Sequence, residues 1–502
     1  MEASMRLCTL LKEAGLPLPD DRAVLDTEIR GICSDSRMVK KGELFVALRG
    51  FHNDGALFVS KALERGASFV ISEQALLGKN TMAVDSARRA LAMLLDAWYG
   101  HPARGMSLIG ITGTNGKTST ATMLFHILRQ AGYSVGLIGT VECRFNEERL
   151  DATGDNALAN MTTPDPAQLY KLLYEMRLRG ANYVVMEVTS HALALEKTAP
   201  LFFSRAVFTN LTPDHLDMHG DMESYFLEKA KLFSCCEQAI LSFSTPYGER
   251  LATRIGCPFS EVSGKTVGDI SAKGSAGVAF TFSYADEAPF RVFLPVPGVF
   301  SVENGALAAM TARSLGVSAT VIGEALAQFG GVKGRLERIG ENDFGFTVFL
   351  DYAHTPDALE KLLMTVRGFA DQGERICALF GCGGDRDRSK RPEMGRVASR
   401  LCDFLILTSD NCRTEDPEKI LADILRGVDK EKPHIVIKDR KEAILYAIGQ
   451  ARRGDILLLA GKGHEEYEIR GRRRLPFSER EIVKAALERR MREGERADRI
   501  TE

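Results

Sequence analysis

Residues 106–119 read MSLIGITGTNGKTS, and the run TATMLFHIL follows them. An apolar stretch leads into a turn that contains Gly110, Gly113 and Gly116, and a helix is predicted to begin at Lys117. Glycines let backbone N–H groups approach phosphate oxygens, and the N-terminus of a helix adds a favourable dipole. The stretch therefore predicts a phosphate-binding loop that joins a strand to a helix in an α/β sheet.

The residues after the last glycine fit the same interpretation. Lys117 would neutralise phosphate charge, and the Thr118 hydroxyl would reach Mg²⁺. The strict GxxxxGK[ST] spacing is not met, because Gly110 lies six positions before Gly116. The alternative is a glycine-rich turn with an exposed lysine. We favour the phosphate loop, since strand, Gly-Lys-Thr and helix are all in register.

Composition excludes several classes of protein. The chain has 502 residues, which suggests about three domains, and its formal charge of −2 argues against a nucleic-acid or membrane-surface protein. No apolar run predicts a membrane span, and the N-terminus lacks a signal-peptide core. Ten scattered cysteines without a CxxC motif are typical of a reducing cytosol. We expect a cytoplasmic protein, monomeric, with neither a zinc cluster nor a disulfide framework.

The apolar runs divide the chain into three parts. We predict a smaller N-terminal α/β domain over 1–104, a central phosphate-loop ATPase domain over 105–332, and a C-terminal Rossmann-like domain over 333–502. Short apolar runs such as RICALFG and DILLLAGKG alternate with helical segments and predict buried parallel strands. The fold class predicted is α/β in all three parts.

The sequence after the phosphate loop decides between nucleotide-using classes. A GTPase should carry an NKxD motif, and the chain has none. The apolar run VVME ends at Glu187, and His215, His219 and Lys229 follow nearby. A carboxylate at a strand end with a nearby histidine can hold a metal ion. Taken alone, the histidines are better explained as ordinary polar loop residues.

A larger set of motifs occurs in an order typical of one family. The segments are TGTNGKTS (112–119), MEVTSH (186–191), TNLTPDHLD (209–217), DYAHTPDAL (351–359), GCGGDRDRSKRPEMG (381–395), DNCRTEDP (410–417) and GKGHE (461–465). The opening segment CSDSRMVKKGELFVALRGFHNDG (33–55) fits the same pattern. Over nearly its whole length the chain resembles the Mur ligases, which build the peptide of peptidoglycan.

The resemblance implies an ATP-dependent ligase. Its N-terminal domain would bind the UDP part of the substrate, and its C-terminal domain would bind the amino acid. ATP would phosphorylate the D-glutamyl carboxylate of UDP-N-acetylmuramoyl-L-alanyl-D-glutamate, and an amine would then attack the acyl phosphate. Such chemistry must hold a carboxylate and a γ-phosphate in line, which requires cationic neutralisation.

The resemblance also assigns the ATP and metal contacts. Those implied for ATP are Gly113, Thr114, Asn115, Gly116, Lys117, Thr118, Ser119, Asn304, Arg335 and Asp351. The implied Mg²⁺ ligands are Thr118, Glu187, His215 and Lys229, the lysine as its carbamate. The catalytic residues would be Lys117, Lys229, His215 and Glu187. Without the resemblance, Lys229 would be a solvated helix lysine, Arg335 a surface salt bridge and Asp351 a strand-end cap.

The substrate contacts form two groups. Those implied for the UDP-sugar peptide are Ser36, Thr162, Thr163, Thr189, Ser190 and Lys197. Those implied for the amino acid are Arg386, Asp410, Asn411, Cys412, Arg413, Gly461 and Glu465. The segment TTPDP would otherwise be a plain turn, and Asp416–Pro417 could simply cap the next helix.

The motif DNCR predicts which amino acid is used. In this family DNPR accompanies meso-diaminopimelate, whose second carboxylate pairs with the arginine. The chain keeps Asp410, Asn411 and Arg413 and has Cys412 in place of proline. We expect meso-diaminopimelate, with L-lysine or ornithine as the alternative should the loop be loosened.

Two further alternatives stay open at this point. One is a ligase similar to folylpolyglutamate synthetase, although such an enzyme has no need for the DSR-containing N-terminal part. The other is a phosphate-loop ATPase switch, which would hydrolyse ATP without joining an amine to anything.

Overall fold

The computed structural model describes residues 4–50, 54–75, 78–150, 161–214, 216–285, 287–340, 344–370 and 373–501. Its contacts divide the chain into two compact units. The first unit contains residues 1–266 and 306–322, and the second contains 267–305 and 323–502. No helix among the described residues is long and apolar enough to cross a lipid bilayer.

The N-terminal part of the first unit is built on a small parallel sheet. The strands of this N-terminal part are β1 (Met5–Arg6), β2 (Glu28–Ile29), β3 (Ile32–Cys33), β4 (Leu44–Ala47), β5 (Phe69–Ser72) and β6 (Thr81–Ala83). Its α-helices are α1 (Leu7–Glu13), α2 (Arg22–Leu25), α3 (Val59–Glu64) and α4 (Ala87–Trp98). The strands β3-β4-β5-β6 are parallel in that order, while β1 and β2 form a separate antiparallel pair.

The rest of the first unit surrounds an eight-stranded sheet. Its strands are β7 (Ser107–Thr112), β8 (Val135–Ile138), β9 (Cys143–Phe145), β10 (Glu148–Leu150), β11 (Tyr183–Glu187), β12 (Phe203–Phe208), β13 (Cys236–Ser242) and β14 (Phe259–Val262). Its helices are α5 (Lys117–Gln130), α6 (Pro166–Leu178), α7 (Ser190–Ala194), α8 (Leu216–His219), α9 (Met222–Ala230) and α10 (Pro246–Ala252). The strand order is β10-β9-β8-β11-β7-β12-β13-β14. The six strands β8, β11, β7, β12, β13 and β14 are parallel to one another. The strand β9 is antiparallel to both β8 and β10.

The register of this sheet brings several functional segments to one edge. Glu187 at the end of β11 pairs with Ile111 of β7, and Phe208 at the end of β12 pairs with Thr112. The carboxyl ends of β11, β7 and β12 are therefore neighbours, which is where open parallel sheets place their ligands.

The second unit begins with a small antiparallel sheet. It consists of β15 (Val267–Ala272), β16 (Val278–Phe282) and β17 (Phe290–Leu294). The helices α11 (Val299–Ser314) and α12 (Ala319–Ala327) follow. The division between the units falls inside each of these helices, after Gly305 in α11 and after Ile322 in α12.

The main sheet of the second unit has six strands in the order β18-β19-β23-β20-β21-β22. They are β18 (Glu337–Ile339), β19 (Thr347–Asp351), β20 (Ile376–Phe380), β21 (Phe404–Leu407), β22 (His434–Val436) and β23 (Ile456–Ala460). The hairpin β24 (Tyr467–Arg470) and β25 (Arg473–Pro476) lies outside this sheet. The helices are α13 (Pro356–Phe369), α14 (Lys390–Leu401), α15 (Pro417–Leu425), α16 (Arg440–Gln450) and α17 (Glu479–Thr501). Only β18 is antiparallel to its neighbour.

Sequence patterns account for these elements. Every residue of β20 and β23 is buried, as expected of parallel strands covered on both faces. Asp416 caps α15 by accepting a hydrogen bond from the Glu418 amide, and Pro417 occupies the first turn. The prediction of an α/β fold is confirmed. The boundaries at 104 and 332 stay a prediction.

A buried ion pair joins the ends of two central strands. Arg440 donates through Nη1 to Ser409 O (3.2 Å), after β21, and through Nη2 to Ala460 O (2.8 Å), at the end of β23. Its Nε donates to Glu479 Oε1 at 2.8 Å. The side chains of Arg440 and Glu479 are each 1% exposed, so neither charge is screened by water.

We predict that Arg440→Met lowers the free energy of unfolding of the second unit by about 3 kcal/mol, because it leaves the Glu479 carboxylate buried without its partner. Urea unfolding, with hydrogen exchange to assign the transition to this sheet, measures the change. The double variant Arg440→Met/Glu479→Leu should recover part of the loss. A single variant as stable as the wild type would contradict the prediction.

Candidate functional site

The turn between β7 and α5 has the backbone that its glycines allow. Gly113 has φ of 147°, and Gly116, at the N-cap of α5, has φ of 83°. A Cβ atom on Gly113 would lie 1.9 Å from Thr209 Oγ1, just beyond the end of β12. Any larger residue at 113 would therefore push the loop away from its neighbouring strand.

The segment after β12 holds this loop through hydrogen bonds. The Thr114 amide donates to Asn210 O (3.0 Å), and the Asn115 amide donates to Asn210 Oδ1 (2.9 Å). Thr209 Oγ1 donates to Asn115 O at 2.6 Å. The loop is thus fixed before any ligand arrives, which reduces the entropy lost on binding.

Two lysine side chains meet at one carbonyl oxygen of the loop. Lys117 Nζ and Lys229 Nζ each donate to Gly113 O at 2.9 Å. Lys229 is 2% exposed, and its Nζ lies 4.6 Å from the centre of the Tyr225 ring. Burial, together with the neighbouring Lys117 ammonium, holds the pKa of Lys229 well below its ordinary value. This concentration of positive charge favours an anion at the loop.

A buried carboxylate lies on the other side of the loop. Glu187, 1% exposed, accepts hydrogen bonds at Oε2 from Thr118 Oγ1 (2.9 Å) and Thr140 Oγ1 (3.0 Å). Its Oε1 accepts from the Thr140 amide at 2.8 Å. A Cβ on Gly139 would lie 2.4 Å from that oxygen, so glycine there makes room for the carboxylate.

The donor set at this position fits Mg²⁺. Thr118 and Glu187 offer hydroxyl and carboxylate oxygens, and Mg²⁺ is usually held by one or two carboxylates together with substrate phosphates and water. No group of three His, Cys, Asp or Glu side chains that could hold a metal ion is found among the described residues. The predicted ligand His215 lies outside the described residues. Lys229 is an ammonium donor here and could not bind a metal in that form.

The threonines predicted to contact the sugar peptide lie around the same carboxylate. Thr162 Oγ1 is 3.0 Å from Thr140 Oγ1, and Thr163 Oγ1 donates to the backbone oxygen of Glu187 at 2.9 Å. Thr163 Oγ1 is also 3.3 Å from Thr189 Oγ1, which caps α7. The structure thus places these three predicted residues beside the predicted metal ligands.

The other residues of that group have structural partners. Lys197 Nζ forms an ion pair with Asp165 at 2.8 Å. This pair links the segment that follows α7 to the start of α6. Ser190 Oγ is 3.0 Å from His219 Nε2. Ser36 is buried in the turn after β3, in the N-terminal sheet of the same unit.

In the second unit, two predicted ATP contacts lie at the end of β19. Asp351 accepts from the Leu336 amide at Oδ2 and from the Ala353 amide at Oδ1, both at 2.7 Å. Desolvation raises the pKa of Asp351, although Arg335 opposes the shift. The Arg335 guanidinium lies 5.0 Å from the centre of the Tyr352 ring. Its buried Nε has no partner among the described residues, which leaves a donor for a ligand.

The third predicted ATP contact of this unit lies in another element. Asn304 is on α11 and is 5% exposed. Its role beside adenine stays a prediction.

A cluster of charged residues occupies the carboxyl ends of β21 and β23. Lys462 Nζ is 3.5 Å from Asp410 Oδ1 and 3.6 Å from Glu465 Oε2. Asn411 Nδ2 donates to Glu465 Oε2 at 2.8 Å. Burial alone would raise the pKa of Asp410, but Lys462 and Arg440 outweigh it and hold that pKa below its ordinary value. Three residues predicted to bind the amino acid are therefore in contact.

Two arginines flank one glycine of the loop after β20. A Cβ on Gly383 would lie 3.0 Å from Arg413 Nη1 and 3.8 Å from Arg386 Cγ. Arg413 Nη1 also donates to Gly384 O at 2.8 Å. No carboxylate among the described residues lies within 4.0 Å of the Arg413 guanidinium. These two predicted contacts form a cationic position suited to a carboxylate.

Backbone pairing, rather than proline, fixes the loop at Cys412. The Arg413 amide donates to Ile469 O (3.1 Å), and the Gly471 amide donates to Arg413 O (2.7 Å). Arg413 also adopts φ of 49°, a left-handed conformation. The hairpin β24–β25 therefore holds Arg413 in place although residue 412 is Cys.

Glu415 joins this loop to the loop after β20. Its carboxylate accepts from Arg391 Nη1 and Nη2 (3.1 and 2.9 Å) and from the Asp385 amide (2.6 Å). The hydrogen bond with Arg391 lowers the pKa of Glu415 to about 2. Because Arg391 is fully buried, this bidentate pair ties both amino-acid loops to α14.

Three residues of these sites were missed by the sequence interpretation. Thr140, Asn210 and Lys462 each lie two positions after the last residue of a buried strand. Residues at that position lie at the carboxyl ends of the parallel strands, where such sheets bind their ligands. The ends of the apolar runs were therefore the sequence signal that could have identified these three residues.

Family models match most of the chain. The Mur ligase middle domain matches residues 111–312, the Mur ligase glutamate ligase domain residues 334–463, and the Mur ligase family catalytic domain residues 28–99. A UDP-N-acetylmuramoyl-L-alanyl-D-glutamate--2,6-diaminopimelate ligase from Gloeobacter violaceus is 42% identical over 504 residues, 98% of this chain and 100% of the relative. The chain belongs to the Mur ligase family.

Other Mur ligases show the same similarity. A relative with the same name from Caldanaerobacter subterraneus is 40% identical over 96% of this chain and 99% of its own length. A solved structure of a ligase with that name has a TM-score of 0.70 and 29% identity, and covers 97% of this chain and 100% of that one. The resemblance drawn from the motifs is confirmed.

We predict that Thr140→Val lowers the free energy of unfolding of the first unit by about 2 kcal/mol, because the buried Glu187 carboxylate loses a charge-assisted hydrogen bond. Thr122→Val is the matched control, since Thr122 Oγ1 bonds only to the helix carbonyl of Thr118 at 2.8 Å. Urea unfolding compares the two variants. Equal stability would show that Glu187 does not depend on Thr140.

Proposed function

We propose that this Mur ligase joins meso-diaminopimelate to UDP-N-acetylmuramoyl-L-alanyl-D-glutamate with hydrolysis of ATP. The carboxylate of the D-glutamyl residue attacks the γ-phosphate and forms an acyl phosphate and ADP. The amine of the amino acid then attacks the acyl carbon, and phosphate leaves as the amide forms. The Lys117 side chain at the Gly113 carbonyl, with the buried Thr118–Glu187 pair on the next residue of the loop, is the observation that carries the proposal, because this chemistry needs a cation and a metal site where two anions meet.

The residues of the first unit have defined parts in this scheme. Lys117 and the amides of the glycine turn hold the phosphates, and Thr118 and Glu187 hold Mg²⁺. The metal ion supplies further neutralisation of phosphate charge. Thr162, Thr163 and Thr189, which form one hydrogen-bonded group with Glu187, place the substrate carboxylate near that position.

Lys229 acts as its carbamate in this proposal. The neutral amine adds to CO₂, forms an N–C bond and releases a proton, so the cation becomes an anion. The lowered pKa of Lys229 supports this step, because burial and the neighbouring Lys117 ammonium both favour the neutral amine over the ammonium. The anionic carbamate would face the Mg²⁺ position, where an ammonium would repel the metal ion.

The amino acid binds in the second unit. Arg413 and Arg386 receive the distal carboxylate of meso-diaminopimelate, since both flank Gly383 and carboxylate–guanidinium pairs are strong and directional. Asp410, Asn411 and Glu465 receive an ammonium group. Lysine would leave Arg413 without a partner and would add a repulsive ammonium.

The proposal also includes the domain boundaries, the cellular location and the oligomeric state. The three family matches support domains over 1–104, 105–332 and 333–502. Asn304, Arg335 and Asp351 contact ATP in this proposal. The enzyme works in the cytoplasm as a monomer. A ligase similar to folylpolyglutamate synthetase would leave the N-terminal part without a role.

An amine screen tests the function directly. The wild type is incubated with the UDP-muramoyl dipeptide, ATP and Mg²⁺, and phosphate release and product mass are followed for each amine. Lys117→Ala should abolish turnover and keep the fold. Phosphate release without a new amide would instead indicate an ATPase switch.

We predict that Arg413→Ala lowers kcat/KM for meso-diaminopimelate by about a hundredfold, because a buried charged contact is worth a few kcal/mol. The reaction with lysine should not weaken and should improve, because the repulsion between its ammonium and Arg413 is removed. Arg388→Ala is the control, since Arg388 lies in the neighbouring loop after β20 and its exposed guanidinium pairs with Glu415 at 3.1 Å. A wild type that prefers lysine or ornithine would overturn the assignment.

We predict that Lys229→Ala is nearly inactive and is partly rescued by formate or acetate, whose oxygens replace those of the carbamate. Lys231→Ala should remain active, because Lys231 is exposed and pairs only with Glu228 at 2.7 Å. ¹³CO₂ labelling followed by NMR should show a carbamate signal in the wild type that the Lys229 variant lacks. An active, unlabelled enzyme would exclude carbamylation.

A further inference from the structure

A buried lysine at the end of β23 has no part in the reaction proposed above. Lys462 is 0% exposed, and its Nζ donates to Asn411 Oδ1 (3.1 Å) and to Tyr467 O (2.9 Å). The carboxylates of Asp410 and Glu465 lie 3.5 and 3.6 Å away. The polar groups that contact this ammonium among the described residues belong to the amino-acid cluster or to the strand β24, and the Phe477 ring lies 5.6 Å from Nζ.

The first consequence concerns the orientation of the Asn411 amide. Its Oδ1 accepts from Lys462 Nζ and also from the Ile469 backbone amide at 2.9 Å. Both partners are donors only, so this atom must be the oxygen. The amide nitrogen then has to face Glu465, to whose Oε2 it donates at 2.8 Å. Lys462 and the Ile469 amide together fix which way Asn411 presents its donor.

The second consequence concerns charge. Asp410 and Glu465 carry two negative charges, and Lys462 supplies one positive charge between them. The remaining charge of −1 suits an ammonium ligand. Arg440 also lowers the pKa of Asp410, but it is paired with Glu479 at 2.8 Å, so this pair adds no net charge to the cluster. Without Lys462 the two carboxylates would repel each other in a buried place, and protonation of one would remove the attraction.

We propose that Lys462 is a positioning residue for the amino-acid substrate. It holds Asp410, Asn411 and Glu465 in the arrangement that receives the substrate ammonium, and it does not touch the substrate itself. The inference rests on the proposed function, since it deepens the assignment of the amino-acid site.

The variant Lys462→Met removes the charge and keeps the length of the side chain. We expect KM for meso-diaminopimelate to rise by about tenfold or more, with KM for ATP and for the UDP-dipeptide within about twofold of wild type. Lys432→Met is the matched control, because Lys432 Nζ donates to Cys402 O (2.7 Å) in the same unit. The control should keep all three KM values.

A double-mutant cycle separates positioning from simple destabilisation. In a Glu465→Gln background one of the two carboxylates is already neutral, so Lys462→Met should then raise KM by less than about threefold. An unchanged effect in that background, or a rise in all three KM values together, would overturn the inference. Should Lys462→Met fail to fold, as judged by thermal unfolding, Lys462→Gln replaces it in the same cycle.

The wild-type reaction distinguishes failure of this inference from failure of the function. If the wild type forms no tripeptide product, the proposed function is wrong, and the inference falls with it. If the wild type is active and Lys462→Met keeps its KM for meso-diaminopimelate, only the inference is wrong. Calorimetric titration of meso-diaminopimelate into both proteins gives a binding readout that does not require turnover, and weaker binding by the variant is the supporting result.

Discussion

The contact of two lysine ammonium groups with the Gly113 carbonyl oxygen is the constraint around which the first unit is arranged. Each N–H···O distance is 2.9 Å, and one of the lysines, Lys229, is almost completely buried. Burial and the neighbouring Lys117 ammonium both disfavour a positive charge on Lys229 and lower its pKa. The arrangement is most favourable when an anion is present, so a phosphate loop is its natural use. The rigid glycine turn and its hydrogen bonds to Asn210 maintain the two cations at the same place.

The second unit uses charge differently, because its buried ions are paired within the protein. Arg391 pairs with Glu415, and Arg440 pairs with Glu479. Such pairs contribute little net stability, since desolvation offsets their attraction. They do fix geometry: Arg391 ties two ligand loops to a helix, and Arg440 joins the ends of β21 and β23. The exception is the Arg413 guanidinium, which has no carboxylate partner among the described residues and so remains suited to a ligand.

Strand ends show how far the sequence could predict the sites. The glycine turn, Glu187 and the DNCR segment were visible because each follows a buried apolar run. The runs before Thr140, Asn210 and Lys462 were equally visible, and two of these residues lie inside the quoted motifs TNLTPDHLD and GKGHE, yet no role was assigned to any of the three. Their importance depends on which strands are neighbours, and local hydrophobic periodicity does not predict the order of parallel strands in a sheet. The role of Cys412 was similarly open, because it depends on pairing with the hairpin at Ile469.

The sequence by itself determined the α/β class, the phosphate loop at 110–119, the helix cap at Asp416 and membership of the Mur ligases. These features follow from local chemistry, such as glycine backbone freedom, apolar periodicity and capping, or from the order of several motifs. Only the tertiary structure decided that Thr140 holds Glu187, that Lys229 shares a carbonyl with Lys117, and that Lys462 orients Asn411. Hydrogen bonds and charge interactions of this kind act over a few ångströms in space, and the chain brings their partners together from 47 to 116 residues apart.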